Sequence, residues 1–351
     1  MIFGKKDHLV GLDIGSSFIK VAELKESGKG YILHKFGMIR TTAGSIVEGR
    51  VADPDALAND IRTLFKSQKI REKNVAISTG GHSVVIKTIN TSRRPEKELH
   101  DTIYSEAEQY IPYDIDDVNI DYQILGESEF SPDQMNVLVV AVKKDLVAEY
   151  IDLIHLAGLD PKIIDVDTFA LQNAYEILPY ENREKTTLLI DVGASKTSLN
   201  IVKANSSLMM RDNVSGTGQI VEEIVNQFEV DSNIAEQVMN GERIEGVPRD
   251  AVREICLKIA QTWCSEIGEV VNTYQSGNDE NVEKIILSGG GIFIEGFQDC
   301  LMAELEADIS IINPFTALNV SEKKFPESFI TRAAPLAPIA IGLALRKVDD
   351  K

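Results

Sequence analysis

At 351 residues the chain is too long for one ordinary hydrophobic core, so two domains are expected. Its composition, 43% hydrophobic and 26% charged, is that of a soluble globular protein. A net charge of −19 argues against sequence-independent nucleic-acid binding and against adsorption to anionic lipid, both of which need clustered Lys and Arg, and it favours a basic peptide as partner. Cys256, Cys264 and Cys300 form no CxxC pair, and His8, His34, His82, His100 and His155 have no ligand spacing, so no zinc site is expected. The N-terminal MIFGKKDHLVGLD lacks the apolar core of a signal peptide, and no run approaches the roughly 18 apolar residues of a membrane span. A cytoplasmic location is expected, with membrane association only through a partner.

In chain order, residues 9–24 (LVGLDIGSSFIKVAEL) read as strand, turn and strand, with Val10, Leu12 and Ile14 alternating. Gly15 permits a tight turn whose N–H groups can point at phosphate oxygens, and Lys20 can add a point charge. Asp13 stands at the turn entrance, where a carboxylate can hold a hydrated Mg²⁺. A strand near 31–39 follows. Asp53 as cap and Pro54 in the first turn then start a helix with Leu57, Ile61, Leu64 and Phe65 on its apolar face. A strand over 74–78 ends in Gly80-Gly81. Residues 84–165 read as a compact βαββαβ module inserted in the first lobe, with a polar loop at 126–134. A helix over 168–178 leads to Pro179 and the charged stretch 181–185, the best linker.

Residues 188–202 (LLIDVGASKTSLNIV) then repeat the opening pattern, with Asp191 and Gly193 in the places of Asp13 and Gly15. Gly216-Thr217-Gly218 opens a helix, a second helix covers 231–240, and Ile255, Ile259, Trp263, Ile267, Val270 and Tyr274 stripe a long third one. A strand over 282–287 runs straight into Ser288-Gly289-Gly290-Gly291, where a backbone without Cβ atoms can lie flat on a planar ring or a phosphate. Either Asp-x-Gly hairpin alone is more simply a turn. The two copies and the glycine run form an ordered trio, which points to two related lobes whose acidic tips face one ligand.

That trio resembles the three nucleotide motifs of the actin-like ATPase superfamily, which includes actin, Hsp70, sugar kinases and FtsA. GLDIGSSFIK is similar to its first phosphate motif, LLIDVGASKTSL to its second and IILSGGGIFIEGF to its adenosine motif, while IIDVDTFALQNAY and APLAPIAIGLAL fall where its connecting helices fall. Within the superfamily, FGKKDHLVGLDIGSSFIKVAEL, AEQYIPYDIDDVNIDYQIL and IIDVDTFALQNAYE resemble the PilM family of type IV pilus assembly, associated with twitching motility. The resemblance implies a two-lobed, actin-like (FtsA-like) α/β fold with a duplicated ribonuclease-H-like core and an inserted small α/β subdomain of the 1C type. The implied boundaries are 1–83 for the core of lobe I, 84–165 for the insertion, 166–185 for a connecting helix and linker, 186–218 and 281–335 for the core of lobe II, 219–280 for a helical subdomain, and 336–351 for a C-terminal connecting helix.

The resemblance further implies ATP with Mg²⁺ between the lobes. Gly15, Ser16, Ser17 and Lys20 would line one phosphate turn, and Gly193, Ala194, Ser195 and Lys196 the other. Gly216, Thr217 and Gly218 would approach the ribose and phosphates, Glu236 the ribose or base, and Gly289, Gly290 and Gly291 the adenosine. Asp13 and Asp191 would hold Mg²⁺ through water. The implied partner is the N-terminal cytoplasmic tail of the membrane protein PilN, docked between the first lobe and the module; other pilus assembly components are further candidates. Hydrolysis needs a group that positions water, for which Asp13, Asp191, Asp165 and Asp167 are the candidates. Asp165 and Asp167 more simply cap the helix that follows, so ATP binding is expected more firmly than ATP hydrolysis. The rival readings are an FtsA-like division protein, a filament-forming actin-like ATPase and, less well supported, a sugar kinase.

Overall fold

The computed structural model describes residues 8–28, 30–81, 83–128, 131–179, 183–278 and 280–348. Residues 1–7, which include the first five of the FGKKDHLVG stretch, residues 180–182 of the linker, the tip of the loop at 126–134, the last three residues and residues 29, 82 and 279 lie outside the described residues.

Strands β1 (Val10–Ile14), β2 (Phe18–Ser27) and β3 (Gly30–Arg40) form an antiparallel meander with Asp13 opposite Lys20. A short hairpin, β4 (Ile46–Val47) and β5 (Arg50–Val51), leads to α1 (Pro54–Gln68). Asp53 caps α1 by accepting the Ala56 N–H, as its Asp-Pro start predicts. Parallel to β1 runs β6 (Asn74–Thr79). Next come β7 (Val84–Ser92), α2 (Glu96–Ala107), β8 (Val118–Ser128) and β9 (Ser131–Lys143), which form a separate three-stranded sheet in the order β7-β9-β8. Its core of Ile89, Leu99, Ile103, Val118, Val137 and Val139 is its own.

The next two elements, α3 (Lys144–Leu156) and β10 (Asp160–Val166), do not join that module. Leu146, Tyr150, Leu153 and Ile154 of α3 pack with Leu57, Ile61 and Val75 of lobe I, and β10 pairs in parallel with β6. The inserted module is therefore 84–143, shorter than the expected 84–165, because the apolar face of α3 finds its partner on α1.

After α4 (Asp167–Glu176), lobe II repeats the pattern. It holds β11 (Thr187–Val192), β12 (Thr197–Lys203) and β13 (Ser206–Asn213), then α5 (Thr217–Phe228), α6 (Ser232–Met239) and α7 (Arg249–Gly277), then β14 (Lys284–Ser288), α8 (Phe297–Glu304) and β15 (Asp308–Ile311). Its sheet runs β13-β12-β11-β14-β15, and the stripe on α7 packs into the core, with Trp263 against Phe297. The chain then returns to lobe I sooner than expected. β16 (Leu318–Asn319) extends the first sheet to β10-β6-β1-β2-β3-β16, and Phe315 stands edge-on to Phe36 at 5.4 Å. The segment assigned to lobe II through residue 335 thus ends near 312, because the β3 edge and Phe36 need a cover.

Helices α9 (Glu327–Ala333) and α10 (Pro338–Ala344) close the chain. Helix α10 crosses α4 between the two sheets at backbone contact, since a Cβ on Gly342 would lie 1.7 Å from the Ala170 carbonyl oxygen. No helix among the described residues is long and apolar enough to cross a membrane.

Candidate functional site: two acidic turns across a cleft

The two hairpins turn alike. The Gly15 N–H donates to the Phe18 carbonyl at 3.1 Å, and the Gly193 N–H donates to the Lys196 carbonyl at 2.9 Å. The turns meet tip to tip, with Ser16 Oγ donating to Ser195 Oγ at 3.0 Å. Behind each tip stands the aspartate. Lys20, opposite Asp13 in register, donates to Asp13 Oδ2 at 2.7 Å. Ser288, at the end of β14 and opposite Asp191, donates to Asp191 Oδ1 at 2.7 Å. Burial pushes both carboxyls above the ordinary carboxylate value; Lys20 draws Asp13 part of the way back, and the Ser288 hydrogen bond does the same for Asp191. Burial pulls the Lys20 ammonium down, but Asp13 beside it leaves it above the ordinary lysine value.

A second ionic cluster adjoins the first. Lys196 reaches Asp167 Oδ2 at 2.7 Å and Asp212 Oδ2 at 3.1 Å. Asp212 Oδ2 also accepts the Gly81 N–H at 2.5 Å. Burial opposes the charge on Lys196, yet Asp167 and Asp212 carry it well above the ordinary lysine value; burial likewise opposes charge on Asp212, and Lys196 overrides it. Both groups therefore stay ionised at neutral pH. Helix capping is not what Asp165 and Asp167 do. Val166 occupies the cap position of α4 without a side-chain bond, Asp165 Oδ1 accepts the Val166 N–H, and Asp167 turns toward the other lobe.

At the cleft mouth Arg40, at the end of β3, pairs with Glu236 of α6. The Arg40 side chain is 53% exposed, whereas Lys196, Asp167 and Asp212 are 24%, 16% and 18% exposed. Exposed pairs contribute about 0–1 kcal/mol, and a partly buried cluster is screened less by solvent. The Lys196 cluster is thus the stronger tie between the lobes.

The glycines have separate reasons. A Cβ on Gly216 or Gly218 would come within 2.5 or 2.9 Å of the Ala194 carbonyl oxygen, so the start of α5 lies directly on the second turn. The Thr217 and Gly218 N–H groups donate to Gly193 and Ala194 carbonyls at 3.0 and 2.8 Å. These two amides hold the turn rather than facing outward. Gly289 (φ +86°) and Gly291 are packed on Val192 of β11, whereas Gly290 faces open space.

The family model for the type IV pilus assembly protein PilM matches residues 11–348. The chain belongs to the PilM family. It is similar to a chain solved in a PilM-PilN type IV pilus biogenesis complex, with 27% identity and a TM-score of 0.88 over 98% of this chain and 99% of that one. The ethanolamine utilization protein EutJ from Carboxydothermus hydrogenoformans shares the fold at 12% identity and TM-score 0.55, over 96% of this chain and 89% of that one. MreB5 of Spiroplasma citri, bound to AMPPNP, does so at 13% identity and TM-score 0.50, over 90% and 94%. The actin-like α/β fold expected from the three motifs is thereby shown.

In this PilM-family chain Asp13, Gly15, Ser16 and Lys20 of one lobe stand opposite Asp191, Gly193, Ser195 and Lys196 of the other. The Ser17 carbonyl accepts the Thr41 N–H, Ala194 is fixed under α5, and Glu236 lies at the mouth with Arg40. Among the described residues no group of three or more His, Cys, Asp or Glu side chains converges as a metal site. Sequence reasoning missed Asp212, Arg40 and the role of Gly80-Gly81. The paired glycines at the end of β6 were a visible cue; Asp212 carried none.

Proposed function

We propose that this PilM-family chain is an ATP-binding adaptor of the type IV pilus assembly platform, working at the cytoplasmic face of the inner membrane and binding the N-terminal tail of PilN. The observation that carries the nucleotide half is the tip-to-tip meeting of the two Asp-Gly turns, with a buried carboxyl behind the first, a partly buried one behind the second and a lysine beside the first. A magnesium nucleotide fits this set. Asp13 and Asp191 carry carboxyls that burial disfavours as anions, which a hydrated divalent cation relieves. Lys20 and the turn amides of Ser16, Ser17, Ala194 and Ser195 would hold the phosphates, and the open space at Gly290 leaves room for the adenosine. Bound Mg²⁺ supplies neutralising charge to the phosphates. Asp167 is the candidate for orienting water, and its pairing with Lys196 favours holding ATP over cleaving it quickly. Membership in the PilM family and the likeness to a chain from a PilM-PilN complex support the partner. The tail docks between lobe I and the 84–143 module, and the net charge of −19 suits a basic segment.

Calorimetric titration tests both halves. The protein is expected to bind MgATP and a synthetic tail of the cognate PilN, with Asp191→Ala and Lys20→Ala each weakening MgATP at least tenfold. Wild-type protein that takes up neither ligand would overturn the reading.

A further inference from the structure

Lys196 belongs to the second turn, yet its ammonium bonds to the other lobe. Asp167 opens α4 of lobe I, and Asp212 of lobe II bonds to Gly81 of lobe I. These two lobe-crossing bonds, unlike those made by Ser16, Arg40 and Gln172, converge on one side-chain pair, Lys196 and Asp212. The cluster is built to a close tolerance, since a Cβ on Gly80 would lie 2.0 Å from Lys196 Nζ and 2.6 Å from Asp167 Oδ2.

Gly81 is also where the chain leaves β6 for the module. The Val84 N–H donates to the Gly81 carbonyl at 3.0 Å, the Lys143 N–H donates to the Ser83 carbonyl at 3.2 Å, and Val84 pairs with Val142. The strands entering and leaving the module are joined at this root, so a shift at Gly81 moves the three-stranded sheet as a body.

We infer that Lys196 is a positioning residue that sets the stance of the 84–143 module through Asp167, Asp212 and Gly81, and so links the phosphate turns to the groove beside the module. The link to nucleotide and peptide rests on the proposed function; the tie itself rests on the bonds alone. An ammonium has three donors, and two are taken by carboxylates. A polyphosphate in the second turn competes for the same cation. Asp167 and Asp212 then face each other with less charge between them, and the lobes part at the module's root.

The test places fluorophores at Gln123 of the module and Glu223 of lobe II, both exposed, in full-length protein with its three cysteines replaced. Without nucleotide, wild type and Lys196→Arg are expected to share one narrow distance distribution. Lys196→Met lengthens and broadens it, and adding Asp167→Asn to Lys196→Met changes it little further. A folded Lys196→Met with the wild-type distribution overturns the inference. Should that variant not fold, Asp212→Asn gives the same decision, since it keeps an oxygen for Gly81 but loses the charge. In the second arm MgATP is expected to change the affinity for the PilN tail about fivefold or more in wild type. That ratio falls to near one in Lys196→Met and returns in Lys196→Arg. Wild-type protein that binds no MgATP would defeat the proposed function while the distance result still decides the tie.

Discussion

Asp191 stands where burial disfavours its charge. Its carboxyl is held by the Ser288 hydroxyl at 2.7 Å, and burial leaves its pKa above the ordinary value. A raised carboxyl pKa stabilises the fold at low pH, and that stability is lost as pH rises from the unfolded value through the folded one. Asp191→Asn keeps an oxygen for Ser288 and removes the charge. It is expected to raise the melting temperature at pH 7 by a few degrees, a gain that shrinks toward pH 4, while weakening MgATP. Calorimetric scans from pH 4 to 7.5 without Mg²⁺ check it; a gain independent of pH would rule out the cause. Two glycines give a sharper contrast. Gly80→Ala puts a methyl group into the Lys196 ammonium and should destabilise by about 1–3 kcal/mol. Gly290→Ala meets open space and should stay within about 0.5 kcal/mol. Urea unfolding of both variants separates a site glycine fixed by packing from one kept for a ligand.

At the scale of elements, α4 and α10 cross at backbone contact, while their side chains Leu171, Tyr175, Ile339 and Leu343 pack with Leu189 and Ile286 of lobe II. Gly342 lies on the Ala170 carbonyl, and Gly11 lies on the Ala340 carbonyl, where a Cβ would come within 2.1 Å. Neither helix can shift to admit a methyl group without moving its sheet. Gly342→Ala is expected to cost at least about 3 kcal/mol, and protease sensitivity should appear at the helix ends before global unfolding. A variant as stable as wild type would mean the crossing has slack. Such crossings are only partly legible in sequence. APLAPIAIGLAL reads as an apolar helix, but nothing in its periodicity names Ala170 as the residue it touches. The same limit explains the two boundary corrections. Alternation identifies β10 as a strand without saying whether the module or β6 will pair with it, and two-residue β16 carries no pattern at all. Asp53-Pro54, by contrast, was readable because a cap is a local bond.

At the scale of the whole molecule, the site was legible where it is repeated and opaque where it is assembled. Asp13 and Asp191 announce themselves by a shared pattern, whereas Asp212 enters from β13 and Asp167 from α4, and only folding brings their charges to Lys196. The assembled cleft holds four carboxyl groups, Asp13, Asp167, Asp191 and Asp212, against two ammoniums, Lys20 and Lys196, a formal excess of two acidic groups inside a chain of net charge −19. ATP without a metal brings about four more negative charges into that field, where a low effective dielectric magnifies repulsion. Mg²⁺ cancels two of them and relieves Asp13 and Asp191 together. A ligand bound only by the folded state stabilises it by about 2.7 kcal/mol at one hundred times its dissociation constant. MgATP in that excess is expected to raise the melting temperature by several degrees, and ATP with excess EDTA by much less, with Mg²⁺ alone nearly without effect. Thermal scans under the three conditions decide it. Equal shifts for ATP with and without Mg²⁺ would show that the lysines and turn amides suffice, and that the two aspartates serve the fold rather than the metal.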